Sequence, residues 1–263
     1  GDPILVGADA EQVYQSLQNR ARRFDFLSPL PEPLPRSRIC VITSMRNEGP
    51  FILEWIAYHK SIGVTDFLIY TNECDDPTNA ILDRLEELGH VVRVDNPYDA
   101  RKNERPQWAA LKHAASHPLP RNADWRIVID CDEFINIHVG DGTLDALLTA
   151  MNDPNTVSMT WKFFGNGGLT KYRDEFIIEQ FTHAAPRFIA KPRLGWGFKS
   201  MVHASAPFGK LGVHRPQALD PDRLDQVRWV NGSGRQMPEE LIRGNGWRST
   251  KRTLGYDMVT LNH

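Results

Sequence analysis

Residues 124–134 read DWRIVIDCDEF, in which apolar and mostly β-branched side chains run directly into Asp130 and Asp132. This pattern is typical of a buried strand that ends at the edge of a sheet. Two carboxylates this close repel each other unless a proton or a divalent cation lies between them. Mg²⁺ or Mn²⁺ held by one or two carboxylates keeps open positions that suit diphosphate oxygens. The stretch therefore predicts nucleotide chemistry; the alternative interpretation is an acidic turn in which one aspartate caps Glu133 and Phe134.

The composition is that of a folded protein without a global charge. The 263 residues are 41% hydrophobic and carry a formal net charge of -2. Such a chain can bury a sizeable core, and its charge gives no field that attracts nucleic acid or an anionic membrane. The sequence contains no apolar run of spanning length and no signal peptide. We therefore predict no nucleic-acid partner and no transmembrane segment.

Three cysteines, Cys40, Cys74 and Cys131, lack the spacing of a zinc cluster or of a thiol redox motif. We predict that they are small buried residues, which indicates a reducing compartment. The chain starts without Met and stops just after a strand-like segment, so we expect a piece of a longer protein. The predicted location is cytoplasmic, as a domain of such a protein.

Strands and helices alternate in the first half of the chain. Strands are predicted at 38–44, 66–71 and 91–94 and in the run that ends at Asp130, and helices at 51–62, 77–88 and 106–115. Pro50 suits the first turn of the first of these helices, and Gly89 ends the second. Alternation of this kind predicts an α/β fold with a mostly parallel sheet flanked by helices. Ligands bind at the carboxyl ends of the strands in such sheets.

The second half of the chain has a different pattern of predicted elements. We predict a helix at 144–151 capped by Thr143, strands at 156–163, 176–181 and 187–190, and a Gly-rich loop at 165–168. Residues 191–263 are rich in Gly, Trp, His and Arg, which indicates a smaller irregular lobe over the open edge of the sheet. Ahead of the sheet, residues 9–23 have helical spacing and a Pro-rich linker follows.

Four stretches in this order resemble the GT-A-fold glycosyltransferases of family 2 and of family 92. They are SMRNE at 44–48, NECDDPT at 72–78, DCDEF at 130–134, and WKFFG at 161–165 with GVH at 212–214 and LNH at 261–263. The resemblance implies one continuous GT-A domain. Its parts would be an N-terminal helix and linker at 1–37, a nucleotide-sugar-binding region at 38–155 and an acceptor-side lobe at 156–263.

The resemblance also implies the reaction. A sugar would move from a nucleotide-diphosphate sugar, a UDP-sugar, to a hydroxyl of a carbohydrate or other acceptor, with inversion and with Mn²⁺ or Mg²⁺ as cofactor. Amides and carboxylates suit a pyrimidine edge and ribose hydroxyls. The donor-binding residues implied are Arg46, Asn47, Glu48, Asn72, Asp75, Gln107, Asp130 and Lys199. For Asn47 and Glu48 the alternative is helix capping, and for Gln107 it is a solvated helix face.

The family pattern places Asp132 on the cation and Asp130 on the ribose or on a metal-bound water. A histidine from the second lobe would be the third ligand, and His214 and His263 are the candidates. We prefer His214 because Gly212 and the Arg-Pro pair after it fix a turn, although a lone histidine is more often structural or solvated.

Inversion requires a general base on the acceptor side. Glu179 is predicted on the same strand face as Ile177 and Phe181, hence partly buried with a raised proton affinity; Asp174 and Glu175 are rivals, and all three could instead be surface residues. Further basic and aromatic residues are predicted to face the diphosphate or to stack on sugars, with core packing as the alternative for the aromatic ones: Lys199, Arg193, Arg215, Trp161 and Trp196.

Two other classes of protein share parts of this pattern. HAD-like phosphatases that form an aspartyl-phosphate also place Asp-X-Asp after a hydrophobic strand, with the first Asp as nucleophile. In that fold the motif ends the first strand, whereas three strand units precede Asp130 here. A glycosyltransferase scaffold without turnover, acting as a nucleotide- or carbohydrate-binding module, is the third interpretation.

Overall fold

The computed structural model describes residues 37–189 and 193–263. The strands of these residues are β1 (Ile39–Met45), β2 (Asp66–Thr71), β3 (Val92–Asp95), β4 (Trp125–Val128), β5 (Phe134–Ile137), β6 (Thr156–Lys162), β7 (Phe164–Gly165), β8 (His183–Ala184), β9 (Phe198–His203), β10 (Phe208–Lys210), β11 (Gln217–Leu219), β12 (Trp229–Asn231) and β13 (Val259–Asn262). The helices are α1 (Ile52–Ser61), α2 (Thr78–Glu87), α3 (Pro106–Ala114), α4 (Pro118–Arg121), α5 (Leu144–Ala150), α6 (Ile177–Gln180) and α7 (Glu239–Arg243). Short 3-10 segments occupy Ala100–Lys102, Arg193–Trp196 and Pro221–Gln226.

A nine-stranded mixed sheet organises these elements. Its order is β3-β2-β1-β4-β9-β6-β13-β5, and β12 pairs with β6. β1 is parallel to β2 and β4, β2 to β3, and β6 to β12 and β13. Only β9 and β5 run antiparallel to their neighbours among the sheet strands of the described residues. The predicted α/β fold with a mostly parallel sheet is confirmed.

Helices cover both faces of the sheet. On one face, Trp55 of α1 packs in a cluster with Val41 of β1. On the other face, Leu111 of α3 packs in a cluster with Cys40 and Ile42. Every residue of β1 apart from Ser44 is buried, because a parallel strand covered on both sides has no polar face.

Two local signals at helix ends act as the sequence predicts. Gly89 adopts φ 75 directly after α2, and the next N–H, that of His90, donates to the Leu85 carbonyl at 2.9 Å. This left-handed residue ends the helix and satisfies a terminal carbonyl. Before α5, the hydroxyl of Thr143 accepts from the Ala146 N–H at 3.2 Å, as an N-cap does.

The strand predicted at 176–181 is wrong. Residues Ile177–Gln180 form α6, a short helix. The carboxylate of Glu54 on α1 accepts from the N–H groups of Ile177 and Ile178 at 2.7 and 3.0 Å. A carboxylate that accepts the free N–H groups of a first turn stabilises a helix start. This capping group is more than a hundred residues away in the chain, and so the local alternation misled the prediction.

Several other predictions meet the structure in part. Strands from both sides of residue 155 join one sheet, and the division of the chain at that residue stays a prediction. The strand predicted at 187–190 is absent over 187–189, the part of it that is described. The N-terminal helix and linker predicted before residue 37 lie outside the described residues.

None of the helices in the described part of the chain has the length and apolar character needed to cross a membrane.

Candidate active site

The site predicted from the sequence gathers at the carboxyl ends of the parallel strands. The loops after β1 and β2 and the turn after β4 meet at this edge, because those strands run side by side in one direction. β13 is parallel to β6 and brings His263 to the same edge. The side chains that concern the site therefore come from distant parts of the chain.

Asp130 is held from two sides. Lys199 Nζ on β9 donates to its Oδ2 at 3.0 Å, and Gln107 Nε2 at the start of α3 donates to its Oδ1 at 3.0 Å. The Lys199 side chain is fully buried, so this ion pair is poorly screened by water. Lys199 thus faces Asp130 from inside the fold, whereas the sequence predicted it toward a diphosphate.

Glu133 lies beneath the turn and carries a role that the sequence did not reveal. Its carboxylate is fully buried and accepts from the Asp130 N–H at 2.8 Å and from Trp161 Nε1 at 2.5 Å. Lys199 Nζ lies 3.4 Å from it. Burial raises the pKa of Glu133, and the Lys199 charge opposes that rise. Glu133 therefore fixes the turn from below, and its place directly after the Asp-Cys-Asp run was the available signal.

Asp132 points the other way, to the surface. Its side chain is 66% exposed, and His263 Nε2 lies 3.2 Å from its Oδ2. The hydrogen bond lowers the pKa of Asp132 and raises that of His263, because each charged form stabilises the other. A carboxylate and an imidazole at this separation form an accessible pair of ligand atoms.

His214, preferred from the sequence as a metal ligand, lies in an aromatic cluster. Its ring stacks on Trp247 at a centroid distance of 4.5 Å and meets the Trp161 edge at 5.5 Å. Burial lowers the pKa of His214 to about 4. Trp161 is buried and also contacts the His263 ring at 5.2 Å, so the core-packing alternative for Trp161 holds. Of the two histidines, His263 is the one hydrogen-bonded to Asp132.

The loops after β1 and β2 are clipped together. Asn47, in the left-handed conformation at φ 58, donates from Nδ2 to Asp75 Oδ1 and accepts from the Asp75 N–H at 2.9 Å. Next to this pair, Arg46 forms an exposed ion pair with Glu73 at 3.3 Å. Asn47 and Asp75 therefore bind each other, which shapes the wall of the site and occupies the groups that were predicted to bind the donor.

Negative charge is concentrated beside the turn. The pKa of Glu48 is raised to about 7, by burial first and then by the charges of Asp132, Asp76 and Asp130. Carboxylates that raise one another's pKa favour the binding of a cation. Within the described ranges no three His, Cys, Asp or Glu side chains form a ready-made metal site. The donor set that fits a divalent cation is the pair of Asp132 and His263, with other positions open to ligand oxygens.

An open cleft of about 400 Å³ lies at the ends of β2 and β3. Asn72, Asn96, Tyr98 and Asp99 are among its lining residues. The Asn96 side chain donates to the Asn72 Oδ1 at 3.4 Å and to the Pro106 carbonyl at 3.2 Å. Amides, a phenol and a carboxylate give this cleft the mixed donors and acceptors of a polar ligand site.

The residues predicted as general bases are distant in sequence from the Asp132 and His263 pair and from the residues that line the cleft. Glu179, Asp174 and Glu175 are exposed on the segment between β7 and β8. Glu179 is on a helix, so the argument that a strand face buries it and raises its proton affinity is wrong. β7 follows β6, and the Phe164 N–H donates to the His263 carbonyl at 2.8 Å. The segment thus begins beside the Asp132 and His263 pair.

Arg215 does not face the site. It is buried, and its guanidinium donates to the carbonyls of Leu241, Gly246 and Ile242 at 2.7 to 3.0 Å. It also lies 4.7 Å from the Trp229 ring centroid. The prediction that Arg215 contacts a diphosphate is therefore wrong. Trp196 donates from Nε1 to the Ile189 carbonyl at 2.7 Å, and the Arg193 side chain is outside what the structure describes.

Comparison with known proteins identifies the family. The model of glycosyltransferase family 92 matches residues 37–237. The chain belongs to glycosyltransferase family 92. A family 92 protein of Oryza sativa subsp. japonica is 26% identical over 241 residues, covering 86% of this chain and 37% of that protein. A family 92 protein of Ricinus communis is 29% identical over 149 residues, covering 53% and 26%. The family 92 chain therefore spans about a third of the length of these relatives.

Solved structures give a weaker likeness. Glucosyl-3-phosphoglycerate synthase from Mycobacterium tuberculosis in complex with phosphoglyceric acid is 18% identical at a TM-score of 0.38, covering 79% of this chain and 75% of that one. S. aureus TarS 1-349 in complex with UDP is 16% identical at a TM-score of 0.35, covering 51% and 38%. Likenesses of this strength fix neither a ligand nor a mechanism for the family 92 chain.

Proposed function

We propose that this family 92 chain transfers a sugar from a nucleotide-diphosphate sugar, specifically a UDP-sugar, to an acceptor hydroxyl, with a divalent cation and with inversion. The observation that carries the proposal is the pair of Asp132 and His263 at the sheet edge that also holds the 400 Å³ cleft. Family membership supports glycosyl transfer as the reaction.

Each group has a role in this proposal. Asp132 and His263 would hold Mn²⁺ or Mg²⁺, which supplies Lewis-acid stabilisation of the departing diphosphate when it is bound. Lys199 and Gln107 fix Asp130, which then presents its carboxylate in one orientation to the ribose or to water. Asn72 and Asn96 would bind the base and ribose in the cleft.

The acceptor side is assigned to the segment between β7 and β8. Glu179, Asp174 and Glu175 stay the predicted candidates for the base that removes the proton from the acceptor hydroxyl. Because all three are exposed, the bound acceptor itself would have to exclude water from the base. The acceptor-side lobe at 156–263 and a cytoplasmic location likewise stay predictions.

Calorimetry with UDP tests the donor site. We expect binding in Mn²⁺ that is lost in excess chelator, and lost also in Asp132→Asn, which removes one ligand charge while keeping the side-chain shape. Asp225→Asn changes an exposed aspartate outside the proposed site and should bind as the parent chain does. Equal affinity with and without the metal contradicts the proposed cation site.

Turnover separates the three classes of protein. A transferase without acceptor should slowly release UDP and free sugar from a UDP-sugar, because water replaces the acceptor at the anomeric carbon. Release of inorganic phosphate from simple phosphomonoesters, abolished by Asp130→Asn, indicates the phosphatase instead. Metal-dependent UDP binding without turnover of any UDP-sugar, with or without candidate acceptors, indicates the binding module.

A further inference from the structure

A second cavity lies away from the metal turn, near the start of β4. Its volume is about 70 Å³, and its lining includes Arg121, Arg126, Lys210, Ala115 and Leu211. Arg126 lies four positions before Asp130 and pairs with Cys40 of β1 and Val202 of β9. β4 points its carboxyl end at the candidate active site, so this cavity belongs to the opposite end of the strand. It is therefore distinct from the proposed donor site.

The charge of the lining is entirely positive. Among the described residues that line it, Arg121, Arg126 and Lys210 are the charged ones, and none is a carboxylate. Arg121 and Lys210 are exposed, and the Lys210 ammonium lies 5.5 Å from the Trp108 ring centroid, over an aromatic face and not beside an acid. Three cations without an acid repel one another, so they favour an anion between them.

Arg126 is the deepest of the three. Its side chain is half-buried, and its Nε is shielded from solvent and has no hydrogen-bond partner among residues 37–189 and 193–263. Burial lowers the pKa of Arg126, because water is removed from the guanidinium and no carboxylate compensates. A charged group that is partly removed from water without a compensating partner destabilises a fold. An anion in the cavity that neutralises the guanidinium charge would offset that cost.

The size of the cavity selects the ligand. A single water molecule needs about 10–15 Å³ of cavity volume. The cavity therefore has room for about five atoms the size of a water molecule. A phosphate or sulfate group has five heavy atoms, and its oxygens match the fork of a guanidinium. A water molecule in the cavity would leave the three charges uncompensated.

We propose that Arg126 and Arg121 form a binding site for a phosphate-type oxyanion, with Arg126 at its base, Arg121 at its rim and Lys210 adding positive charge. The exposed rim lets the oxyanion belong either to a free ion or to an ester whose remainder extends into solvent. The site is independent of the proposed transfer reaction.

Thermal unfolding of the whole chain in chelator tests the site. Inorganic phosphate and sulfate are each compared with chloride at equal ionic strength. At about ten times the dissociation constant, linkage predicts a Tm rise of about 3–6 °C for the specific oxyanion. Arg126→Met and Arg121→Ala should each remove that rise. Without phosphate, Arg126→Met should be at least as stable as the parent chain, because it removes an unpaired charge.

Controls separate this site from general charge effects. Arg252→Ala removes one exposed positive charge elsewhere and should keep the full rise. Metal-dependent UDP binding should be unchanged in Arg126→Met, so failure here leaves the donor site untouched. If glycerol phosphate binds as inorganic phosphate does, the ligand is an ester; if only the inorganic ion binds, it is free phosphate. The proposal is contradicted if phosphate and sulfate raise the Tm no more than chloride does, or if the Tm rise persists in both arginine variants.

Discussion

The two sides of the turn after β4 differ more than their sequence suggests. Asp130 and Asp132 are separated by one residue, yet Asp130 is held by Lys199 and Gln107 while Asp132 is 66% exposed beside His263. The buried side has every carboxylate oxygen engaged, and the exposed side has ligand atoms to offer. Two residues of the same type thus separate into one whose orientation is fixed by the fold and one that is exposed beside a histidine.

The difference teaches how a short acidic motif can be both stable and reactive. Buried charges are tolerated when they are paired and hydrogen-bonded. Here Lys199 and Glu133, both fully buried, provide that pairing. The motif can then place an exposed carboxylate at a fixed point without a bound ligand to support it.

Breaking the buried side should have the largest effect on stability. Lys199→Met leaves Asp130 and Glu133 without a counter-charge, so we expect the free energy of unfolding to fall by about 3–5 kcal/mol. Urea denaturation measures it. The double variant Lys199→Met with Glu133→Gln should recover part of that loss, because it removes the fully buried one of the two stranded charges. A single variant within 1 kcal/mol of the parent chain, as for surface pairs, would contradict this account.

Low pH should lower the stability of the fold next to the buried side of the turn, through His59. His59 is fully buried; its Nδ1 donates to the Trp55 carbonyl at 2.8 Å and its Nε2 accepts from the Ile135 N–H at 3.4 Å. The contact in which Nε2 accepts requires a neutral ring, and burial lowers the pKa of His59 to about 4. In the unfolded chain, His59 binds a proton near pH 6.5. The stabilising contribution of the neutral His59 ring is therefore complete above that pH and is lost as the pH falls toward 4.

The size of this effect follows from linkage. A pKa lowered from 6.5 to about 4 corresponds to about 3 kcal/mol of unfolding free energy between those pH values. Denaturation of the parent chain and of His59→Leu across that range measures it. The variant should show a flatter pH dependence by that amount. His214, whose pKa is also lowered to about 4, contributes equally to both chains and cancels; parallel curves would show that His59 does not titrate as described.

The exposed side should show the smallest effect on stability. Asp132→Asn changes a side chain that is 66% exposed, so we expect the free energy of unfolding to move by no more than about 0.5 kcal/mol. Urea denaturation without metal measures it, beside the loss of UDP binding in Mn²⁺. A fall of several kcal/mol would mean that the two sides of the turn do not differ, and would favour the acidic-turn interpretation.

Local signals predicted most of the first half of the fold. The signals were Pro50 before α1, Gly89 after α2 and the mostly buried run at 66–71. Each of them determines structure only a few residues away in the chain. β9 was not predicted, because Lys199, its second residue, resembles a surface charge and its partners on β4 and β6 are distant in the chain. The helix α6 was not predicted either, because the Glu54 carboxylate that caps it lies on α1, far away in the chain.

The sequence indicated where candidate site residues lie in the chain, but it did not indicate how they are arranged. The Asp-Cys-Asp run indicated the correct strand end, and Gln107 was assigned to that neighbourhood. The choice between His214 and His263 depends on which ring meets Asp132, and that contact joins residues 131 positions apart. Arg215 shows the opposite case, because an arginine near the end of the chain can serve three backbone carbonyls as readily as a phosphate.

The place of β9 between β4 and β6 has a consequence for folding kinetics. β4 ends at Val128, but the strand that pairs with it begins at Phe198. Until that later segment arrives, β4 and β6 each present an unpaired edge, which invites pairing with other chains. Closing so long a loop makes the contact order high and folding slow. A chain emerging from the ribosome would thus hold its Asp-X-Asp turn, without Lys199, at an open sheet edge.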